Sequence, residues 1–215
     1  MGHRGAVELI AHRAGNLVEL VAPAVAVADG IELDVHLFRN RVEVRHAKLL
    51  LWPLSRLWEK WELLPRDAPR PSIATIVDAI PPDVHVWFDL KGFTTRLPRA
   101  VHRAAGDRNP VTYSSRRWWI LGWVRRHTPA RTMKSVGNRF ERWLVTRTRS
   151  GGELHGIVVH ERLLRDGWLE RLQRAAPTVI AWGAQDRSRA DELVAAGESG
   201  LILDDHELIR SLRIA

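Results

Sequence analysis

Residues 156–212 read GIVVHERLLRDGWLERLQRAAPTVIAWGAQDRSRADELVAAGESGLILDDHELIRSL. Three short apolar runs stand out: Gly156–Val159, Thr178–Trp182 and Gly200–Leu203. Their length and β-branched content mark them as strands. Between them, Leu163–Ala175 and Arg187–Ala196 carry apolar residues at helical spacing, and His206–Leu212 follows the last strand in the same way. Strands alternating with helices at this spacing are built as parallel βα units.

The alternation continues toward the N-terminus. Val7–Ala11, Ile31–Val35, Val84–Asp89, Pro110–Tyr113 and Arg131–Ser135 read as strands. Leu17–Ala28, Ile73–Ile80, Leu97–Ala105, Arg116–His127 and Arg139–Thr148 read as helices, the first despite Pro23. Val42–His46 is a further strand, read as the return of a hairpin that turns at Arg39-Asn40. Setting it aside leaves eight βα strands in 215 residues. The predicted fold class is therefore α/β: a TIM (β/α)8 barrel with a β-hairpin and a loop-rich insertion, residues 47–71, after the second strand. A doubly wound open sheet is the alternative. No repeat or linker divides the chain, so residues 1–215 read as a single domain.

Composition bounds the function. Cysteine is absent, which excludes disulfides and thiolate metal sites and favours a reducing compartment. The opening residues MGHRGAVELIAHRAG have no long apolar run before a cleavage site, and no stretch approaches transmembrane length. The expected location is the cytoplasm, with peripheral contact at the inner face of an anionic membrane as a further expectation. Net charge is +8, and only four of the 33 basic residues are lysine: Lys48, Lys60, Lys91 and Lys134. Such a chain attracts anions, whether phospholipid headgroups or nucleic acid. Several of the ten tryptophans lie among arginines, as Trp52, Trp58 and Trp61 and then Trp118, Trp119 and Trp123. Arginines and tryptophans interleave over Arg116–Arg149, the best candidate for a nucleic-acid or membrane surface. Helical periodicity accounts for much of that stretch, and it holds no recognised nucleic-acid motif.

The chemistry concentrates in Ile31-Glu32-Leu33-Asp34-Val35. Strand alternation points Glu32 and Asp34 one way and the three aliphatic residues the other. Inside a barrel two adjacent carboxylates need a partner, and a hard divalent cation is one. On an exposed edge strand the same residues would be solvated acids, and spacing alone does not separate the two readings. The hairpin brings His46 opposite or beside Asp34. His12 closes the first strand, and Asp89 and Lys91 share a face at the end of another. All lie at or past carboxyl ends of strands, where parallel α/β folds carry their sites. His3, His85, His102, His127 and His155 have no such supporting pattern.

Taken in order, these residues resemble the glycerophosphodiester phosphodiesterases. His12-Arg13-Ala14-Gly15 resembles that family's opening His-Arg-Gly, and Glu32-Leu33-Asp34-Val35 its Glu-Leu-Asp-Val strand. Val44-Arg45-His46 resembles the strand ending in its second histidine. Pro71-Ser72-Ile73 resembles its Pro-Thr-Leu helix start, and Asp89-Leu90-Lys91 its Glu-Ile-Lys strand. Val179-Ile180-Ala181-Trp182 and Gly200–Asp205 resemble its closing segments. Phe88-Asp89-Leu90-Lys91 is also similar to the related sphingomyelinase D-type phospholipases.

The resemblance implies a TIM barrel that hydrolyses a glycerophosphodiester or related lysophospholipid to an alcohol and a phosphomonoester. His12 and His46 would be general acid and base, and Glu32, Asp34 and Asp89 would bind one divalent cation, Mg2+ or Ca2+. Arg13 and Lys91 would contact the phosphate, and Trp182 would line the substrate pocket. Either water or a hydroxyl of the substrate would attack phosphorus first. Four departures bear on substrate identity: Ala47 follows His46, Asp89 replaces a glutamate, the family's Pro-Glu-Asn-Thr segment is missing with only Asn16 near its place, and Gly183-Ala184-Gln185 follows Trp182. His36, Lys48, His160 and Glu161 flank the site as substrate contacts or as rim residues with structural hydrogen bonds. The rival readings are a catalytically inactive barrel that binds lipid headgroups and a nucleic-acid-binding protein.

Overall fold

Inward-facing and outward-facing residues alternate along eight parallel strands, and that alternation organises the molecule. A computed structural model describes residues 7–38, 40–46, 48–50, 56–59, 62–64, 71–108, 110–148 and 155–214, with only the backbone described over 48–64. The first half runs β1 (Glu8–Ala11), α1 (Val18–Val25), β2 (Gly30–Phe38), β3 (Arg41–Val44), β4 (Lys48–Leu50), β5 (Arg56–Glu59), β6 (Glu62–Leu64), α2 (Ile73–Ala79) and β7 (His85–Leu90). Then come α3 (Arg96–Ala105), β8 (Val111–Ser115), α4 (Leu121–His127), β9 (Arg131–Val136), α5 (Arg139–Arg147) and β10 (Gly156–His160). The chain ends with α6 (Trp168–Ala175), β11 (Val179–Trp182), α7 (Arg187–Ala195), β12 (Gly200–Leu203) and α8 (His206–Arg213).

The strands follow the order β1-β12-β11-β10-β9-β8-β7-β2, and β1 pairs with β2 to close the ring. This is the expected TIM barrel of eight parallel strands. Antiparallel β3 adds to β2 in the register Val35↔Val44 and Phe38↔Arg41. The turn at its tip takes Asn40 into the left-handed region at φ 64°. Asparagine tolerates that region better than a branched residue does, as a two-residue hairpin requires.

Three sequence expectations need correction. The insertion over 47–71 is not simply loop: β4, β5 and β6 form a small antiparallel sheet. Each strand has three or four residues, too few for a period to be legible. The helix expected from Arg116 starts at Leu121, after a short 3-10 turn over Trp118–Ile120. The helix expected from Leu163 starts at Trp168, because Asp166 and Gly167 adopt φ 61° and 71° and break the helical path.

Two apolar layers result from the alternation. Ile10, Trp87, Met133, Val158, Ile180 and Ile202 fill the barrel interior. Ile31, Leu33 and Val35 face outward, with none of their surface exposed, against a layer that includes Val21 and Ala24 of α1 and Ile76 of α2. Ser72 caps α2 by accepting from the Thr75 N–H at 3.1 Å. A polar floor closes the N-terminal end. There His85 bonds Glu8 Oε1 through Nδ1 at 2.5 Å and Thr112 Oγ1 through Nε2 at 2.9 Å. Arg131 Nη1 lies 3.2 Å from Glu8 Oε2. Such a floor seals one end of the barrel and leaves the other open. Among the described residues, no helix is long and apolar enough to cross a membrane.

Candidate active site

At the open end, the strand termini surround a pocket of about 350 Å³. His12, Arg13, Glu32, His46, Asp89, Lys91 and Trp182 all line it, and Asp34 lies fully buried in register with Asp89. The sequence-predicted residues, 170 positions apart at the extremes, are thus brought together. What unites them is the shared parity of their strands and their common carboxyl end.

On β2, Glu32 and Asp34 turn inward as alternation requires, and β7 lies alongside in register, Asp34 opposite Asp89. One oxygen from each of Glu32, Asp34 and Asp89 lies within 4.8 Å of the others. Three carboxylates at this spacing fit one divalent cation, since metal–oxygen distances of about 2.0–2.6 Å separate opposite ligands by roughly twice that. Burial, reinforced by the charge of Asp34, pushes the Glu32 carboxyl up to about 8. Burial also works against ionisation of Asp34, but Lys91 and Asn16 outweigh it and hold that carboxyl below its ordinary range. Lys91 Nζ lies 2.9 Å from Asp34 Oδ1 and also pairs with Asp89. Burial disfavours its charge, yet the surrounding Asp89, Asp34 and Glu32 raise its pKa. The ammonium thus balances part of a carboxylate cluster that would otherwise be costly to bury.

His12 leaves β1 with its ring Nδ1 2.8 Å from Asp204 Oδ1, just past the end of β12. Its Nε2 faces the cluster, 3.9 Å from Glu32 Oε2. Burial alone would lower its pKa, but the Asp204 hydrogen bond and the charge of Glu32 raise it. The next residue, Arg13, sits in the left-handed region at φ 55°. That bend lets its N–H donate to Glu32 Oε2 at 2.7 Å and brings its Nε within 3.5 Å of Asp34 Oδ2. His46 follows β3, where the Arg45 N–H donates to the Asp34 carbonyl at 3.0 Å and ties the hairpin to the acidic strand. Trp182, at the end of β11, packs 6.3 Å from the His12 ring and 4.2 Å from that of His160.

The flanking residues divide. His36 shares the inward face of β2, yet burial and the charge of Arg45 push it down to about 3, and it does not line the pocket. Nδ1 of His160 accepts from the Arg162 N–H at 3.3 Å, and its ring supports Trp182. Glu161 is engaged by Arg189 Nε at 2.9 Å. The side chains of Lys48 and of Trp52, Trp58 and Trp61 lie outside the described residues, as does His3. Gly183 adopts φ 88°, and a Cβ there would come 3.0 Å from His160 Cε1, so the departure after Trp182 has a steric basis.

Sequence reasoning left several residues in or behind the pocket without roles. Asn16 donates through Nδ2 to Asp34 Oδ2 at 3.0 Å and accepts the Asp34 N–H at 2.9 Å. Ser114 donates to Asp89 Oδ1 at 3.0 Å and accepts from Trp87 Nε1 at 2.8 Å. Arg116 and Arg162 reach the pocket from the far side, Arg116 held by Glu141 at 2.6 Å. Ser114 carried a usable signal, inward parity at the end of β8. Asp204 and Asn16 were marked only by the family resemblance, because Asp204 follows a strand and Asn16 ends a short 3-10 turn, where no periodicity reports a side chain's direction.

No protein-family model matches the chain, and no curated protein sequence does. Solved structures do share its fold. A glycerophosphodiester phosphodiesterase from Thermotoga maritima superposes with a TM-score of 0.77 at 18% identity, covering 98% of this chain and 100% of that one. An Oleispira antarctica phosphodiesterase, in complex with the product sn-glycerol-3-phosphate, gives 0.76 at 16% identity, covering 97% of each chain. One from Parabacteroides distasonis gives 0.71 at 18% identity, again covering 97% of each. The barrel is therefore of the kind on which glycerophosphodiester phosphodiesterases are built.

Proposed function

We propose that this chain is a metal-dependent phosphoric diester hydrolase acting on a glycerophosphodiester or a related lysophospholipid. The observation that carries the reading is the convergence of His12 and His46 on one pocket with Glu32 and Asp89, which cluster with the buried Asp34. Glu32, Asp34 and Asp89 would hold one divalent cation, Mg2+ or Ca2+, which when bound neutralises charge on the phosphate oxygens. Arg13 and Lys91 would add cationic contacts to the phosphate, Arg13 through the paired donors of its guanidinium. Asp204 orients the His12 ring so that Nε2 faces the substrate, ready to take or give a proton. His46 would serve the opposite step. Trp182 would form an apolar wall against the glycerol or alcohol part.

The test is an assay of purified protein on a panel of glycerophosphodiesters and lysophospholipids, with Mg2+, Ca2+ or EDTA. The expected result is release of a phosphomonoester that stops in EDTA and resumes with one of the two cations. His12→Ala and His46→Ala are each expected to lower turnover by about 100-fold or more. Turnover that ignores EDTA, or survives either substitution at the wild-type rate, would overturn the reading.

A further inference from the structure

We propose that the open mouth of the barrel is also a docking surface for an anionic lipid bilayer, formed by the connections that follow β7, β8 and β9. Phe93, Trp119 and Phe140 are 66%, 61% and 67% exposed, and Trp143 is 43% exposed. Isolated exposed apolar side chains are ordinary on a protein surface, whereas a contiguous set marks an interaction site. Here Phe93 follows β7, Trp119 follows β8 and Phe140 opens the helix after β9, three consecutive strands of the barrel.

These side chains form two aromatic–arginine clusters joined by one ion pair. Trp119 Nε1 donates to the Phe93 carbonyl at 3.1 Å. The Arg117 guanidinium lies 4.4 Å from the Phe93 ring centre and 5.8 Å from that of Trp119. Phe140 stacks on Trp143 at 6.0 Å, and Arg147 covers Trp143 at 5.1 Å. The Arg116–Glu141 pair bridges the two halves. None of these rings is needed by the core: α3 buries Leu97 and Val101, and α5 buries Val145.

Charge selects the occupant. Residues 91–99, 116–123 and 137–143 contain seven lysines and arginines and one acid, Glu141, which is already bound to Arg116. Exposed aromatic rings among arginines match the boundary of an anionic bilayer, where the rings sit at headgroup depth and the guanidinium groups meet lipid phosphate. The surface is also continuous with the catalytic pocket. A groove of about 240 Å³ runs from Asp89 and Lys91 past Phe93 to Arg116 and Arg117. A lipid-borne phosphate would therefore meet cations all the way from the membrane surface to the carboxylate cluster.

Vesicle binding does not require the hydrolase reading to hold, so the two fail separately. The test is flotation of the protein with vesicles of phosphatidylcholine alone or mixed with phosphatidylglycerol, at low and high salt. Wild-type protein should float with the anionic vesicles at low salt and detach at high salt. A Phe93→Ser/Phe140→Ser double variant should bind about tenfold less while melting and hydrolysing a short soluble phosphodiester like wild type. His12→Ala should float like wild type. The proposal is overturned if wild type does not float at low salt, or if the double variant floats equally well. It is also overturned if single-stranded oligonucleotide displaces the vesicles and its own binding is lost in the same double variant.

Discussion

His12 and Asp204 meet across the seam of the barrel, Nδ1 to Oδ1 at 2.8 Å, although 192 positions separate them in the chain. The pair fixes which ring nitrogen faces the pocket, and it supplies part of the field that keeps the His12 pKa raised. Asp204→Asn keeps the shape and removes the charge. At saturating cation, turnover should fall about 10- to 100-fold. The limb of the pH–rate profile set by His12 should move to lower pH, because loss of the anion lowers that pKa. A profile of kcat/KM against pH checks both effects, and an unmoved limb would remove Asp204 from this role.

Asn16 grips Asp34 at both ends, donating to the carboxylate at 3.0 Å and accepting from its N–H at 2.9 Å. Asn16→Ala should leave the fold intact but free the Asp34 side chain to rotate. Affinity for Mg2+ or Ca2+, measured by calorimetric titration, should weaken about 10- to 100-fold, the usual effect of losing a group that orients a ligand. Unchanged affinity would mean that Lys91 and the strand alone hold Asp34.

Gly15 lies against the outward face of the acidic strand. A Cβ there would fall 2.2 Å from Leu33 Cγ. Gly15→Ala should therefore push Leu33, and with it the strand that carries Glu32 and Asp34. The expected loss is about 1–3 kcal/mol of stability, visible in urea unfolding. Leu33→Ala in the same chain should recover part of the loss attributable to Gly15→Ala, since the clash disappears, and a purely additive double variant would refute the contact as its cause.

Glu198 is 3% exposed, and among the described residues neither carboxylate oxygen has a hydrogen-bond partner. Burial pushes its pKa up to about 8, with Arg189 pulling weakly the other way. Between the ordinary value of 4.5 and about 8, the folded state holds a proton that the unfolded state has released. Stability should therefore fall as pH rises through that window and level off above it. Glu198→Gln removes this dependence. Its thermal midpoint should match or exceed wild type at pH 6 and exceed it more by pH 9, by a few degrees for each kcal/mol recovered. Parallel pH curves for the two proteins would count against the assignment.

Much of this molecule was determined by the local pattern of its sequence. The period-2 and period-3.6 runs identified the eight strands that became the barrel, because each face must be apolar wherever it is buried. The Glu32–Asp34 parity and the hairpin register likewise put two carboxylates and His46 near one another, since strand geometry leaves side chains only two directions. Tertiary structure alone decided the rest. Closure of β1 on β2 and β12 carries His12 to Glu32 and Asp204, a juxtaposition of chain ends that no local period encodes. The strands of the insertion were too short to announce themselves, and Asn16, Arg116 and Arg162 act from short 3-10 turns or connections outside the strands. Whether Phe93, Trp119 and Phe140 were core or surface also depended on packing: helical spacing shows that an aromatic lies on a face, but only the neighbouring elements determine whether that face is covered.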